Sequence, residues 1–427
     1  MHSFEKSLFS PLKVGILVPS PLPTHGGAYE FQHTIFAEAL KRYYYRANQV
    51  IRLIPIAFHE TDIKAWNIDP SRCLFLNPKP VKTKEGFLCH IHEGFYKLSS
   101  RYHGWLAGKQ PETGDSHINT LTMNVDILWS LSPNTLTTQI PFIITVWDLQ
   151  HRLQPFFPEV SENGEWPWVA RQEHYMNVAT KAFFSVVGTK RGSNELTQFF
   201  GVDPSRIFVN PFPCPQPLKV EGFEYHSILS RLNIDRQKFL LYPAQFWSHK
   251  NHLCTLYALR ILINNGSNLK LVLPGSDRGT LEAIKSVAIR LGISEFVVAP
   301  GFLPREDLVA LYLNSLSLVF PSFFGPDNLP PLEAMSYGVP AIVAEVPGSH
   351  EQYGNSVLYF DPSKPDDLAF RIQLIMTDPC LRDELVERGK TLLLRLSPAA
   401  YLDRIENLLL ENRIALECCT LARSNTI

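Results

Sequence analysis

The sequence has few of the features that mark secreted, disulfide-linked or membrane-spanning proteins. Its 7 cysteines are scattered and no two of them form a Cys-x-x-Cys pair, so we expect reduced thiols and a cytoplasmic location. No run reaches the roughly 18 uninterrupted apolar residues that indicate a membrane span. Met1–Leu12 lacks the basic start and the apolar core of a signal peptide. These absences predict a soluble protein of the cytoplasm.

An excess of charge of one sign is also missing. The chain has 40 basic and 41 acidic residues and a net charge of −1, so it has no broad positive field and we expect no nucleic-acid partner. The glycine pair Gly26-Gly27 is not the Gly-x-Gly-x-x-Gly fingerprint of a dinucleotide site. The histidines show no spacing typical of metal ligands. We therefore predict neither a metal nor a nicotinamide cofactor.

Short apolar runs alternate with amphipathic helical patterns in both halves of the chain, which has 427 residues, 45% of them hydrophobic. Such alternation is typical of mostly parallel sheets covered by helices on both faces. It predicts an α/β protein with two Rossmann-like domains that face a cleft. The predicted strands are Val14–Val18, Val50–Ile56, Val125–Trp129, Phe142–Val146, Phe183–Val187 and Ile207–Val209 in the first domain, and Lys238–Tyr242, Leu269–Leu273, Phe296–Ala299, Leu316–Phe320, Ala341–Ala344 and Val357–Phe360 in the second.

The stretch that begins at Pro211 is rich in proline and cannot form a helix or an inner strand, so we interpret it as a linker. Lys79–Asn124 has no clear period, and we expect it to be irregular. The predicted boundaries are an N-terminal domain at 1–210, the linker at 211–237, a C-terminal domain at 238–396, a last helix at 397–416 and a frayed tail at 417–427.

The most informative segment follows the predicted strand Leu316–Phe320. A loop of Gly, Pro, Asp and Asn leads into a short helix that starts at Pro330-Pro331 and carries Glu333 in its first turn. A helix N-terminus after such a loop suits a phosphate or diphosphate, and a carboxylate one turn further can accept hydrogen bonds from sugar hydroxyls. The pattern predicts a nucleotide-sugar site. Its candidate residues are Asp327, Asn328, Leu329, Pro330 and Glu333.

This segment resembles the donor-site signature of the retaining GT-B glycosyltransferases, the glycosyltransferase group 1 family (family 4), whose pattern is Glu, seven residues, Glu. The second Glu matches Glu333, and Gly325 stands where the family has the first. The resemblance implies that Glu333 holds the donor ribose, whereas the replaced residue contacts the donor sugar. It also implies a GT-B fold in which the last helix crosses back onto the N-terminal domain.

A second motif, Tyr242–His252, follows the first strand of the C-terminal domain. The family has an Arg there and a Lys five residues later, both on the donor diphosphate. Lys250 matches the Lys, and Gln245 stands at the Arg position, where it can donate a hydrogen bond but brings no charge. The alternative is that Lys250 is only the exposed start of a helix. Gly275-Ser276-Asp277 also follows a strand and is a further candidate border of the diphosphate.

Two N-terminal motifs are less specific. Within the resemblance, Gly26-Gly27 falls where a loop closes over the donor phosphates, although most glycine pairs form turns or helix starts. Asp148 and His151 match a Val-His-Asp-Leu-x-x-His segment near the reacting sugar, with Trp147 in place of the first His. An Asp and a His three residues apart after a strand are also often partners that stabilise a loop.

The basic run Lys41–Arg46 ends the first predicted helix. Cations suit the negative end of a helix, which is the simpler interpretation. The alternative is a shallow seat on the inner face of a membrane, where a lipid-linked acceptor would lie.

The resemblance implies an enzyme that moves a sugar from a nucleoside diphosphate sugar to a glycan, a lipid-linked or another hydroxyl acceptor, with retention and without a metal. Lys250 and the backbone N–H groups near Asn328 would neutralise the leaving diphosphate, and Asp148 and His151 would position the reacting sugar or the acceptor. Two alternatives remain at this point: a sugar-nucleotide epimerase of the same fold, and a non-catalytic protein that binds nucleotide sugars.

Overall fold

The protein is represented by a computed structural model. The structure describes residues 10–19, 27–45, 50–76, 115–161, 166–215, 217, 226–325 and 327–424. The described residues fall into two compact units. The first unit lies within Met1–Gly188, Gly192–Asn210 and Ala399–Ile427, and the second lies within Thr189–Arg191 and Pro211–Pro398.

The first unit is built on a parallel sheet of 7 described strands in the order β3-β2-β1-β4-β5-β6-β7. All five residues of β5 are buried, as expected for an inner parallel strand that is covered on both faces. The strand order reverses between β1 and β4. The strands are β1 (Leu12–Leu17), β2 (Ile51–Ala57), β3 (Leu74–Phe75), β4 (Ile127–Trp129), β5 (Phe142–Val146), β6 (Phe184–Val187) and β7 (Ile207–Val209).

Helices connect these strands. The predicted stripe of the first helix is confirmed, since Phe36, Ala39, Leu40 and Tyr43 are all buried. The helices are α1 (Gly27–Ala39), continued by a π-helical turn at Leu40–Tyr44, α2 (Glu60–Lys64), α3 (Asp115–Asn124), α4 (Gln150–Leu153), α5 (Trp168–Val178) and α6 (Lys190–Phe200), with short 3-10 helices at Pro70–Arg72, Pro158–Val160 and Pro204–Arg206.

The second unit contains a parallel sheet of 6 described strands in the order β10-β9-β8-β11-β12-β13. This is the common Rossmann order, with the reversal between β8 and β11. The elements are β8 (Phe239–Leu241), β9 (Lys270–Pro274), β10 (Val297–Gly301), β11 (Ser317–Phe320), β12 (Ala341–Ala344), β13 (Leu358–Phe360), α7 (His226–Arg231), α8 (His252–Asn264), α9 (Leu281–Arg290), α10 (Arg305–Asn314), α11 (Pro330–Ser336), α12 (Ser349–Tyr353), α13 (Pro365–Thr377) and α14 (Pro379–Arg395), with 3-10 helices at Ser248–Lys250 and Ser294–Phe296.

The predicted strands are confirmed, each end within two residues of the observed position. The two-residue strand β3 was not predicted because so short a run carries no period. Two predictions of irregular chain are wrong in part. Helix α3 occupies the end of Lys79–Asn124 and buries Leu121, and helix α7 lies inside the predicted linker and buries Ile228. The rest of Lys79–Asn124, residues 79–114, lies outside the described residues.

The C-terminal helices belong to the first unit, as predicted. They are α15 (Pro398–Glu411) and α16 (Arg413–Ser424). Arg42 pairs with Asp403 at 2.6 Å and with Glu406 at 2.9 Å, and the Tyr43 hydroxyl donates to Glu406 at 2.8 Å. Arg42 and Tyr43 of the basic run therefore bind α15, whereas Lys41 pairs with Glu38 and Arg46 lies outside the described residues. Among the described residues, no helix has the length and apolarity needed to cross a bilayer.

The prediction of one helix at 397–416 followed by a frayed tail from Glu417 is wrong. The helix breaks at Asn412, whose amide donates to the Leu408 carbonyl at 2.8 Å, and α16 then continues. This second helix is held because Arg423 donates to the Asp126 carbonyl at 3.1 Å and Leu416 is fully buried. Sequence periodicity did not reveal these contacts because they join residues far apart in the chain.

The docking of α16 predicts unequal effects for two leucines of the same helix. Leu416 is 0% exposed, whereas Leu421 is 59% exposed. Leu416→Ala should lower the free energy of unfolding by about 2–5 kcal/mol because it leaves a cavity, and the matched control Leu421→Ala should change it by less than about 0.5 kcal/mol. Urea denaturation followed by circular dichroism measures both. Equal effects would show that α16 is not docked.

Candidate functional site

Two loops meet at the carboxyl edge of the second sheet, where the strand order reverses. The loop at 242–251 follows β8, and residues 321–325 and 327–329 follow β11, its neighbour in the sheet. The Lys250 Nζ lies 3.4 Å from the Asn328 Oδ1 and 5.2 Å from the centre of the Phe320 ring. The structure therefore brings Lys250 and Asn328 together at the position where open α/β sheets bind ligands.

Lys250 is held by its own loop. The buried Tyr242 hydroxyl donates to the Lys250 carbonyl at 2.7 Å. The next residue, Asn251, has a left-handed backbone with φ 56°, a conformation that asparagine tolerates. The Asn251 amide donates to the carbonyls of Pro321 and Pro362 at 3.0 and 2.9 Å. Lys250 is half-buried, so the structure does not favour the alternative of an exposed helix start.

Asn328 occupies space that a side chain at position 325 would need. Gly325 has φ +129°, and a Cβ atom added there would lie 2.2 Å from the Asn328 Nδ2. That Nδ2 donates to the Gly325 carbonyl at 2.8 Å, and this leaves the Oδ1 directed at Lys250. The Asn328 carbonyl in turn accepts hydrogen bonds from Gln352 and Tyr353 of α12. The glycine and the asparagine therefore form one unit that faces the ammonium group of Lys250.

The start of α11 is a weaker anion site than predicted. Pro330 and Pro331 are its first two residues and have no N–H to donate. The helix has only 7 residues, and Leu329, which precedes it, is buried. Pro330 can therefore shape the loop but cannot donate a hydrogen bond to a ligand. Asp327 is half-buried in the same loop.

Glu333 is a half-buried carboxylate in the first turn of α11. Its Oε2 accepts a hydrogen bond at 2.8 Å from the hydroxyl of Tyr312, which is 1% exposed on α10. Burial, and then the nearby Glu333, raise the pKa of Tyr312 well above its ordinary value, so the phenol keeps its proton and orients the carboxylate. The sequence contained no signal for Tyr312, because the pair joins two helices 21 residues apart.

Gln245 lies on the loop after β8 and is bound to an aromatic neighbour. Its Oε1 accepts a hydrogen bond at 2.8 Å from the indole Nε1 of Trp247. The Arg278 guanidinium carbon lies 5.2 Å from the centre of the same indole ring. The structure thus places an arginine of another loop over the indole that binds Gln245, a contact that sequence reasoning missed.

Asp148 lies in the first unit, on the turn after β5. It pairs with the buried guanidinium of Arg171, and its Oδ1 accepts from the Gln150 N–H at 2.9 Å, which starts α4. Burial alone would raise the pKa of Asp148, but Arg171 and the Gln150 N–H lower it below its ordinary value. Tyr175 donates to the Asp148 carbonyl at 3.2 Å. The half-buried carboxylate is therefore charged and firmly held.

His151 packs inside the first unit. Its ring is 0% exposed and stacks on Tyr175, with the ring centres 5.7 Å apart. Burial and the positive charge of Arg171 lower the pKa of His151 to about 3, so the imidazole is neutral near pH 7. This arrangement favours the interpretation that Asp148 and His151 stabilise their loop. A contact between His151 and a sugar stays a prediction.

The structure shows little about the predicted site residues Gly26 and Gly27. Gly26 lies outside the described residues, and Gly27 is the exposed first residue of α1. In the described part of the chain, no three His, Cys, Asp or Glu side chains form a group that could hold a metal ion. The candidate site of the second unit thus consists of Lys250, Asn328, Glu333 and Gln245 with their partners.

Part of the chain is similar to known proteins. Residues 228–392 match the model of the family described as glycosyl transferases group 1, and this segment includes all four site residues just named. The O-antigen chain mannosyltransferase B of Escherichia coli is 28% identical over 199 residues, which cover 46% of this chain and 52% of that protein. The chain thus spans about half the length of this curated relative.

Solved structures resemble nearly the whole chain. The Anabaena protein HepE, crystallised in complex with UDP, matches with a TM-score of 0.65 and 16% identity over 94% of this chain and 100% of that chain. WaaG, a glycosyltransferase involved in lipopolysaccharide biosynthesis, matches with a TM-score of 0.62 and 13% identity over 92% of this chain and 99% of that chain. At such low identity these matches show the fold alone, and they confirm the predicted GT-B fold.

The contact between Gly325 and Asn328 predicts different costs for two glycines with left-handed backbones. Gly325→Ala should destabilise the second unit by about 1–3 kcal/mol from backbone strain, and further because Asn328 must move. Gly279 has φ +96° with nothing within 4 Å of an added Cβ, so Gly279→Ala meets only the strain and is the matched control. Chemical denaturation compares the two. A Gly325→Ala variant no less stable than the control would contradict the described contact.

Proposed function

We propose that the protein transfers a sugar from a nucleoside diphosphate sugar to an acceptor hydroxyl with retention of configuration. The proposal starts from residues 228–392, which match the model of the glycosyl transferases group 1 family. The observation that carries the proposal is Lys250, held 3.4 Å from Asn328 at the point where the strand order of the second sheet reverses. Cleavage of a glycosidic bond leaves a diphosphate whose negative charge grows in the transition state. A fixed ammonium group at this position would stabilise that charge.

Other residues of the same unit have complementary roles in this proposal. Glu333, oriented by Tyr312, accepts hydrogen bonds from the donor ribose. The side-chain amide of Asn328 keeps Lys250 in place. Asp327, Leu329 and Pro330 shape the loop that carries Asn328. Gln245 can donate an uncharged hydrogen bond from its amide nitrogen while its oxygen accepts from Trp247.

In the first unit, we assign the role of positioning the reacting sugar or the acceptor to Asp148. Its carboxylate is half-buried, charged and held by Arg171, so it can accept a hydrogen bond from a sugar hydroxyl. His151 would act indirectly, as the neutral ring under this turn. A contact of Gly26-Gly27 with the donor phosphates is implied by the family resemblance alone, since Gly26 lies outside the described residues.

The names of relatives support the substrate classes. HepE was crystallised in complex with UDP, and the Escherichia coli relative is a mannosyltransferase of an O-antigen chain. A nucleotide-sugar donor and a glycan or lipid-linked acceptor are the corresponding proposals for this chain. We propose transfer without a metal, in which the ammonium group of Lys250 supplies part of the positive charge that the leaving diphosphate requires.

The proposal is tested by nucleotide binding. UDP, GDP, ADP and dTDP are each added to the protein in a thermal-shift assay, with and without EDTA. One of them should raise the melting temperature in both conditions, because a ligand at about 100 times its dissociation constant stabilises the folded state by roughly 2.7 kcal/mol. If none of the four shifts the melting temperature, the proposed function is wrong. A shift that requires a divalent ion would contradict the metal-independent charge assignment.

Substitutions of Lys250 and Glu333 should change different kinetic constants of the transfer reaction. Lys250→Ala should lower kcat by roughly 10²–10³, as for other preorganised electrostatic groups, because it removes stabilisation that grows in the transition state. Glu333→Gln keeps an acceptor for Tyr312 and should mainly raise the donor KM, since ribose contacts change little during the reaction.

Lys285 provides the matched control for the loss of a lysine. It is a surface lysine of α9 that pairs only with the exposed Glu282 in the described salt bridges, so Lys285→Ala should retain wild-type kinetics. An unchanged kcat for Lys250→Ala would overturn the assignment of the leaving-group charge to this lysine.

A further inference from the structure

The site described so far has too little positive charge for its proposed ligand, and the inference below rests on that proposed function. A departing nucleoside diphosphate carries more than one negative charge, whereas Lys250 supplies a single positive charge. Gln245 is neutral, and the two prolines that open α11 remove N–H groups from that helix start. A second cation would therefore strengthen the site.

The segment 275–280, which follows β9, lies directly against the loop after β8. The Phe246 N–H donates to the Ser276 carbonyl at 3.1 Å, and the Thr280 hydroxyl donates to the Phe246 carbonyl at 2.5 Å. Gly275 is required for this approach, since a Cβ atom there would lie 2.0 Å from the Ala244 carbonyl oxygen. Because β8 and β9 are neighbours, the side chains of segment 275–280 lie near the loop that carries Gln245.

Segment 275–280 directs the side chain of Arg278 toward the loop after β8. This exposed guanidinium lies over Trp247, with its carbon 5.2 Å from the ring centre, and Trp247 donates to Gln245 at 2.8 Å. The adjacent carboxylate of Asp277 is directed at the backbone, because its Oδ1 accepts from Gly279 at 2.7 Å and Leu281 at 3.2 Å. The indole thus contacts a positive charge through its ring and the neutral amide of Gln245 through its N–H group.

We propose that Arg278 is a second cationic contact to the donor diphosphate, positioned by Trp247 and acting beside Lys250. The guanidinium brings the charge that Gln245 lacks, from the loop after the neighbouring strand. Its planar fork of N–H donors suits two oxygens of one phosphate group, which a lysine cannot bind in the same way.

Isothermal titration calorimetry with paired nucleotides tests this. UDP with UMP, GDP with GMP, ADP with AMP and dTDP with dTMP are titrated into wild-type protein, and the tightest pair is used for the variants. Arg278→Ala should weaken the diphosphate about tenfold and the monophosphate much less, because the contact is to the additional phosphate or to the bridge between the two. Arg278→Lys should recover part of the loss, and 0.5 M salt should reduce the difference between variant and wild type.

Arg290 is the matched control, an exposed arginine at the end of α9 in the same unit. Arg290→Ala should bind both nucleotides as the wild type does, and all variants should keep the wild-type melting temperature without ligand. Equal weakening of the monophosphate and the diphosphate by Arg278→Ala, or no weakening of either, would overturn the inference while leaving the proposed function standing. Failure of every nucleoside diphosphate to bind the wild type would overturn both.

Discussion

Parallel strands impose the constraint on which the candidate site depends. Every strand of a parallel sheet leaves at the same edge, so all loops that follow the strands emerge together, and where the strand order reverses two of them can approach without a helix between them. In the second unit the reversal lies between β8 and β11. Lys250 and Asn328 come from the two loops that this reversal brings together, and their side chains lie 3.4 Å apart.

Much of this could be predicted from the sequence because it is local. Apolar runs located the strands, and the order of strand, loop and helix located Lys250 and Glu333 on the correct edge. The Pro330-Pro331 start of α11 was also correctly located, but its effect on N–H donors is a property of the proline residues that the helix-dipole argument overlooked.

The contacts that could not be predicted are those between residues distant in the chain. Tyr312 meets Glu333 across 21 residues, and Arg171 reaches Asp148 across 23. No periodicity records such pairs, because either partner alone resembles an ordinary helix residue. The same limit applies to His151: its spacing from Asp148 was visible in the sequence, but its complete burial against Tyr175 depends on the packing of the whole unit.

The return of α15 and α16 to the first unit has a consequence for how the chain is made. Strand β7 of the first unit ends at Val209, and α15 begins only at Pro398. A ribosome that adds about 5–20 residues per second needs on the order of 10–40 s to cover this interval. Throughout that time Arg42 and Tyr43 have been synthesised, but their partners Asp403 and Glu406 have not. Synthesis of the first unit therefore begins before that of the second unit and ends after it. The second unit can fold before the first unit is complete.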